Sequence, residues 1–496
     1  MKKFKWLTLL LSLSMLLPVV ACGGTVGDLQ EEFEDDGKPY EIVYYMPYND
    51  SNPPMDISAI EQKLSNVLTK KINATIKIHA YTLNEYTTKM SGIIAAGSSF
   101  DVCYTSPDVN PYLTNVQREA FLPLDSLLPK YAPETWKAIP SQIWDQARVD
   151  GKIYGSVNEQ IFPRTYGYNA RSAANIQDFL NEKYEGIKPA EVYEKNSDAL
   201  AFLEEYMQWL KTNKRGNGGK ISAINTDAIL QNYYLYDNLG TGMATPGVVH
   251  LDDDTYTVVN QFETDEYKEM LDTVYDWVEK GYIDESVSSY DLTPDSTWKP
   301  GYLTKNLLRL SESHYFTSYV IGTMNAISST SENPARAMKF IELLRTDEEV
   351  HNILQFGIED IHYVKDPTNP NRIAAFNEGT GYNNKNFGWG LGTEFISYLY
   401  EDQSDNLWEE TKAINANTEM GALIGFTFEV GKLKQKVADC KAVVNEFKAA
   451  FEKGEFKNRE EKYAEFINRL NAAGAQEIIA EKQRQLDEFL AKKGLK

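Results

Sequence analysis

The chain has 496 residues, with 50 Lys and Arg against 72 Asp and Glu, a formal net charge of −22. That length exceeds one ordinary domain and points to two or three. Charged residues at 25% and apolar residues at 42% exclude intrinsic disorder and a multi-span membrane protein. The acidic balance argues against a nucleic-acid partner, because neutralising phosphates takes a basic face. The 31 Tyr, 21 Phe and 8 Trp are either core or stacking surfaces for a ligand.

Lys2, Lys3 and Lys5 precede an apolar run from Leu7 to Val20. The run is too short for a comfortable membrane span and ends in small residues, as a cleaved signal does. Its end, Val19-Val20-Ala21-Cys22-Gly23-Gly24, resembles a bacterial lipobox. In that motif a signal peptidase cuts before the Cys, whose sulfur carries a diacylglyceryl group. The expectation is a signal peptide over 1–21 and a lipid on Cys22; an ordinary secretory signal with an incidental Cys is the alternative. Residues 22–37 then read as an extended acidic tether, with Asp28, Glu31, Glu32, Glu34, Asp35 and Asp36 and no base before Lys38.

From Lys38 short strands alternate with helices. Glu41–Met46 reads as a strand stopped by Pro47, and Ile57–Lys70 carries a helical stripe at Ile57, Ile60, Leu64, Val67 and Leu68. Thr75–Ala80 alternates as a strand, Asn84 opens a helix to Ala96, and Phe100–Tyr104 is a third strand. This βαβαβ order predicts a parallel sheet, whose ligands sit beyond the carboxyl ends of the strands. Asp150-Gly151 marks a turn before a short strand at Lys152–Tyr154, Tyr166–Asn169 another strand, and helices run on to Thr212. Lys211–Gly219 is a loop lacking the spacing of a phosphate-binding motif. Val248–Phe262, turning at Asp252–Asp254, reads as a β-hairpin. The three aspartates there lack the Gly and terminal Glu of a calcium loop, so turn chemistry explains them better.

Three amphipathic helices close the chain, marked by Leu433, Val437, Cys440, Val444, Phe447 and Phe451; by Tyr463, Phe466, Ile467 and Leu470; and by Ile478, Ile479, Leu486, Phe489 and Leu490. They are short and broken, which favours packing on their own body over a coiled coil. Cys103 and Cys440 sit in apolar patterns and read as two buried thiols, with a disulfide as the rival.

Chemistry-bearing motifs are absent. There is no HExxH, no GxSxG and no Cys/His zinc spacing, so no catalytic residue, metal ligand or cofactor site is expected. His362 has acidic company at Glu359-Asp360, which a solvated loop explains. No spacing singles out the carboxylate pair that glycoside hydrolysis needs.

Several stretches, in order, resemble the sugar- and oligosaccharide-type (family 1) extracellular solute-binding lipoproteins of ABC importers. They are Phe100–Ser106, Ala120–Asp125, Asp150–Gly155, Phe262–Tyr267 leading to Trp277–Ile283, and Met324–Phe340. The tail from Ala473-Gly474 through Gln483–Leu486 is similar to a C-terminal domain of unknown function on one branch of that family. The resemblance implies an α/β fold of two closing lobes joined by a hinge. Lobe one is expected at 38–157 and 305–360, lobe two at 158–304 and 361–430, and packed C-terminal helices at 431–496. It implies a monomer on the outer face of the cytoplasmic membrane that delivers a solute, most simply an oligosaccharide, to permease subunits. A secreted glycan hydrolase, a binder of peptide or another small solute, and a lipid-anchored adhesin are the alternatives. Strand ends and interlobe loops supply the candidate ligand residues: Tyr45, Asn49, Asp50, Tyr104, Asn158, Glu159, Tyr233, Trp298 and Trp389. The resemblance places the Trp389 loop, Phe387-Gly-Trp-Gly390, at the ligand, and flanking glycines leave an indole unshielded.

Overall fold

A computed structural model describes residues 33–48, 54–195, 198–221, 224–284, 286–295, 306–377, 379–401 and 403–496. Cys22, Asn49, Asp50 and Trp298 lie outside the described residues, as do the signal and most of the acidic tether.

The opening βαβαβ unit comprises β1 (Tyr40–Tyr48), α1 (Ile57–Ile72), β2 (Ala74–Thr82), α2 (Leu83–Ala95) and β3 (Val102–Thr105). β1 runs parallel to both β2 and β3. β1 continues through Pro47, where the sequence suggested a stop. β3 pairs with it only at Tyr44 and Tyr45, so Pro47 has a ladder neighbour on one side alone, where a missing N–H is tolerated. α1 buries Ile60, Leu64, Val67 and Leu68 against the sheet, and Asn73 ends it in the left-handed region at φ 49°. Thr82, not Asn84, stands at the start of α2.

Two further strands complete this sheet. Met324–Ile327 lies antiparallel to β3 and to Ser156–Val157, giving the order β2, β1, β3, 324–327, 156–157. A second, three-stranded antiparallel sheet centres on Gly167–Ala170, flanked by Leu292–Asp295 and Leu307–Arg309. Gly167 is required there, since a Cβ would stand 2.6 Å from the Leu308 carbonyl oxygen.

Each sheet organises its own core. One is built mainly from residues of 42–162 and 315–391, the other from 166–310 and 423–490. Leu307, Leu308 and Leu310 lie with the second sheet, and Tyr382, Phe387 and Leu391 pack into the first core. The segments expected in lobe one (305–360) and lobe two (361–430) thus each send residues to the other core, which these residues reach through long-range packing.

The hairpin expected over 248–262 shrinks to one bridge between Val248 and Val259, while Val249–His250 pairs with Tyr236–Asp237. The Asp253 carboxylate accepts from the backbone N–H of Thr255 and Thr257, at 2.9 and 3.0 Å, and holds a compact turn instead of a ladder. His362 is buried rather than solvated; its Nδ1 accepts from the Ile358 N–H at 2.9 Å.

The acidic stretch also ends differently. Asp35 pairs with Arg336 and Lys339, and Glu34 with Lys130, so residues from Phe33 onward are tied to the body and not part of a free tether. Three long helices, Lys434–Glu452, Arg459–Ala473 and Ala475–Lys492, close the chain on the second core. Phe466 meets Phe262 edge to face at 5.2 Å, and the Tyr463 hydroxyl donates to the Phe262 carbonyl at 2.8 Å. Cys103 and Cys440 are both buried and free, one in each core. Burial raises both thiols, Cys440 to about 11, which leaves them inert. No helix of the described residues is long and apolar enough to cross a membrane.

Candidate ligand-binding cleft

Between the two cores lies a cleft of about 1130 Å³. β3 delivers its first wall. Tyr104, near the carboxyl end of that strand, lines the cleft, and the loop from Ser106 to Pro111 continues the wall. This loop is pre-formed by its own hydrogen bonds. Asn110, at φ 51°, donates through Nδ2 to the Tyr104 carbonyl at 2.9 Å, and its own carbonyl accepts from the Thr105 hydroxyl at 2.6 Å. The buried Tyr86 hydroxyl supports the strand from behind, at 2.9 Å from the Tyr45 carbonyl and 3.1 Å from that of Tyr104.

The turn Lys385–Gly390 brings in Trp389. Its indole, only partly buried, meets the Tyr104 ring edge to face at 5.8 Å and Phe387 at 4.9 Å. The flanking glycines do more than leave the indole uncovered. A Cβ at Gly388 would stand 2.6 Å from Gln355 Nε2, and one at Gly390 would stand 2.3 Å from the Phe387 ring. The glycines also let the turn pack closely against the Gln355 and Phe387 side chains.

Asn158 holds this turn. Its Nδ2 donates to the Gly390 carbonyl at 2.9 Å, and its Oδ1 accepts from the Gly392 N–H at 3.1 Å and from Asn325 Nδ2 at 2.8 Å. Glu159 bonds through its backbone to Gly392 and Glu394, and through its carboxylate to Arg345 and Thr393. Neither Asn158 nor Glu159 is among the residues lining the cleft. Their polar atoms are spent on the protein, so they position the Trp389 turn instead of reaching a ligand. Tyr45 is core, stacked on His79 at 4.5 Å. Tyr233 borders the second core, where its hydroxyl accepts from the Ala199 N–H at 3.1 Å. Neither lines the cleft. Of the described sequence candidates, the cleft gathers Tyr104 and Trp389.

The opposite wall was not foreseen. Gln231, on the helix Thr226–Asn232, and Asn238 both donate to the Ser318 hydroxyl, at 3.1 and 3.3 Å, and all three line the cleft. Asp237 ties the same segments together from inside, accepting from the Thr317 N–H and hydroxyl at 2.7 and 2.5 Å. Burial raises its carboxyl against these hydrogen bonds. A legible signal was present in Asn238-Leu-Gly-Thr-Gly242, whose glycines take φ near 78° and mark a loop of unusual backbone.

The floor is the crossover between the two cores. Arg164 is buried there, donates through Nη1 to the Phe162 and Pro163 carbonyls at 3.3 Å each, and stacks over the Tyr319 ring at 4.7 Å. Burial lowers its guanidinium below the ordinary value. Tyr398, Tyr400 and Trp408 add rings from the segment beyond Trp389. The arrangement combines flat apolar faces with amides, hydroxyls and a few charges. It can stack on a ligand and hydrogen-bond it. Asp227, one of the cleft carboxylates, is committed to Lys448 at 2.5 Å. Among the described residues no group of three or more His, Cys, Asp or Glu could hold a metal ion.

Comparison with known proteins agrees with this architecture. The model of a domain of unknown function (DUF3502) matches residues 422–491. A carbohydrate ABC transporter substrate-binding protein of Streptococcus pneumoniae serotype 4 is 25% identical over 500 residues, which cover 96% of each chain. The crystal structure of the N-glycan transport solute binding protein NgtS from Streptococcus pneumoniae has a TM-score of 0.74 at 21% identity, covering 92% of this chain and 100% of that one. The NgtS complex with Man5GlcNAc has a TM-score of 0.68 at 21% identity, covering 92% and 99%. The chain is thus similar to a carbohydrate ABC transporter substrate-binding protein, has the fold of solute-binding proteins, and matches the DUF3502 model over residues 422–491.

Proposed function

We propose that this protein captures an oligosaccharide in the cleft between its two cores and hands it, chemically unchanged, to the permease of an ABC transporter. The observation that carries the reading is the pairing of Tyr104 and Trp389 at one wall with the Gln231, Asn238 and Ser318 cluster at the other. A sugar ring offers C–H faces to an aromatic and hydroxyls to amides, so it uses both walls at once. The cleft, at about 1130 Å³, exceeds the usual 300–1,000 Å³ of small-ligand pockets and has room for more than one ring.

Closure of two lobes around a hinge at 158–166 would remove the ligand from water. The lipid on Cys22 would hold a monomeric body at the outer face of the membrane, where a permease can receive it. The protein acts as a binder and not as an enzyme. Its carriage of peptide or another small solute is the reading that a ligand screen separates from this one.

Thermal denaturation against parallel panels of oligosaccharides and peptides tests the proposal. A ligand at 100 times its Kd adds about 2.7 kcal/mol of stability. Stabilisation by oligosaccharides that are recovered intact supports it. Stabilisation by peptides alone, or turnover of a glycan abolished by one carboxylate substitution, overturns it.

A further inference from the structure

The DUF3502 helices touch the cleft in two ways. The helix Lys434–Glu452 presents Lys434, Val437, Ala438 and Lys441 to it, spaced as one helical face. The helix Ala475–Lys492 acts from behind through Lys482, which is fully buried. Its ammonium donates to the Asn238 carbonyl at 3.2 Å, the Thr241 hydroxyl at 2.8 Å and the Gly247 carbonyl at 2.6 Å. Asn238 and Thr241 belong to the cleft wall.

The fit extends to the stem. Gly247 has φ 103°, and a Cβ there would stand 2.7 Å from Lys482 Cδ. Gln261 grips the same loop from another side, accepting from the Gly247 N–H at 3.0 Å and donating to the Met243 and Thr245 carbonyls at 2.7 and 2.9 Å. A buried ammonium is expensive to desolvate, and its three partners here are neutral oxygens. Burial pushes Lys482 down to about 7, with Asp237 opposing that shift and Lys441 adding to it. Hydrophobic packing would serve stability at lower cost, so the group's contribution is to the shape of the loop it clamps.

We propose that the DUF3502 domain is part of the ligand-recognition apparatus, with Lys482 as a positioning residue that holds the loop 238–247 in its cleft-facing conformation. The proposal rests on the reading of the cleft as a saccharide site. Its test therefore has one arm that needs no ligand.

Hydrogen exchange and calorimetric titration with Man5GlcNAc are measured on the whole protein, wild type, Lys482→Met and Thr241→Val. Losing three buried hydrogen bonds at once should speed exchange of amides 238–247 by about 10-fold or more in Lys482→Met and weaken saccharide binding by about as much. Thr241→Val, which removes one acceptor of Lys482 together with the hydroxyl's own bond to the Asn238 carbonyl at 2.9 Å, should move both by about 3-fold. Amides of β1, β2 and β3 should not change. Unchanged exchange at 238–247 overturns the proposal. So does a rise spread over the whole chain with unaltered affinity, which would make Lys482 merely structural. If Lys482→Met fails to fold, Thr241→Val decides by the same criteria. If the wild type binds no saccharide, the functional reading fails, while loop exchange still decides whether Lys482 is the clamp.

Discussion

Tyr104 and Trp389 stand 285 positions apart in the chain, yet their rings meet edge to face at 5.8 Å on one wall of the cleft. One comes from the end of a parallel strand, the other from a glycine-flanked turn. Tyr104 is buried, at 2% exposure, and backs Trp389, the ring of the pair that stays partly open.

Trp389→Ala should weaken oligosaccharide binding by about 1–3 kcal/mol, in the range for a buried aromatic anchor. Stability should fall much less, because the indole is not fully enclosed. A loss near 3–5 kcal/mol in the melt, as for a core truncation, with affinity unchanged, would remove Trp389 from the site. Calorimetry and a melting curve on one sample give both numbers.

Asn158→Ala should lower affinity without touching the ligand. The substitution removes the partner of Gly390, Gly392 and Asn325 together. Buried donors and acceptors left unpaired cost about 1–3 kcal/mol each, so the melt should fall and the Trp389 fluorescence environment should change. An unaltered Trp signal with full affinity would show that the turn holds itself.

Much of the architecture was legible because it follows local rules. The first five elements came from period and turn residues, and the three closing helices from their apolar stripes. The Trp389 turn was visible through its glycines, though their steric reason was not. Asn158 and Glu159 were singled out as ligand candidates in an interlobe loop, but their partners at Gly390, Gly392 and Arg345 are distant in sequence. No spacing rule reports that a side chain is already satisfied. Gln231, Asn238 and Ser318 were missed for the same reason, since only the fold brings them together.

Asp35 and Arg336 give a pH prediction. The guanidinium, 1% exposed, receives the Asp35 carboxylate at 2.5 Å, with Lys339 beside it. The Arg336 bond holds the Asp35 carboxyl well below its ordinary value. The unfolded chain therefore takes up a proton first. The pair's contribution is complete above about pH 4, the unfolded carboxyl range, and is lost as pH falls toward the folded value. Asp35→Asn should cost about 3–5 kcal/mol at pH 7, because it strands a buried cation. Its penalty should shrink at pH 3, as urea melts at the two pH values would record. An equal penalty at both would contradict the pairing.

Cys22→Ala should release the protein from the membrane fraction into the medium, since one sulfur is expected to carry the acyl chains. Retention of the variant in the membrane would contradict the lipobox.

The placement of the ligand is tested most directly by a hydrogen-exchange footprint with and without an oligosaccharide that stabilises the protein in the thermal panel. The account predicts protection concentrated at 104–113, 238–244 and 385–400, the segments that wall the cleft. Protection confined to other surfaces, or a saturating ligand that leaves these three segments unchanged, would contradict it.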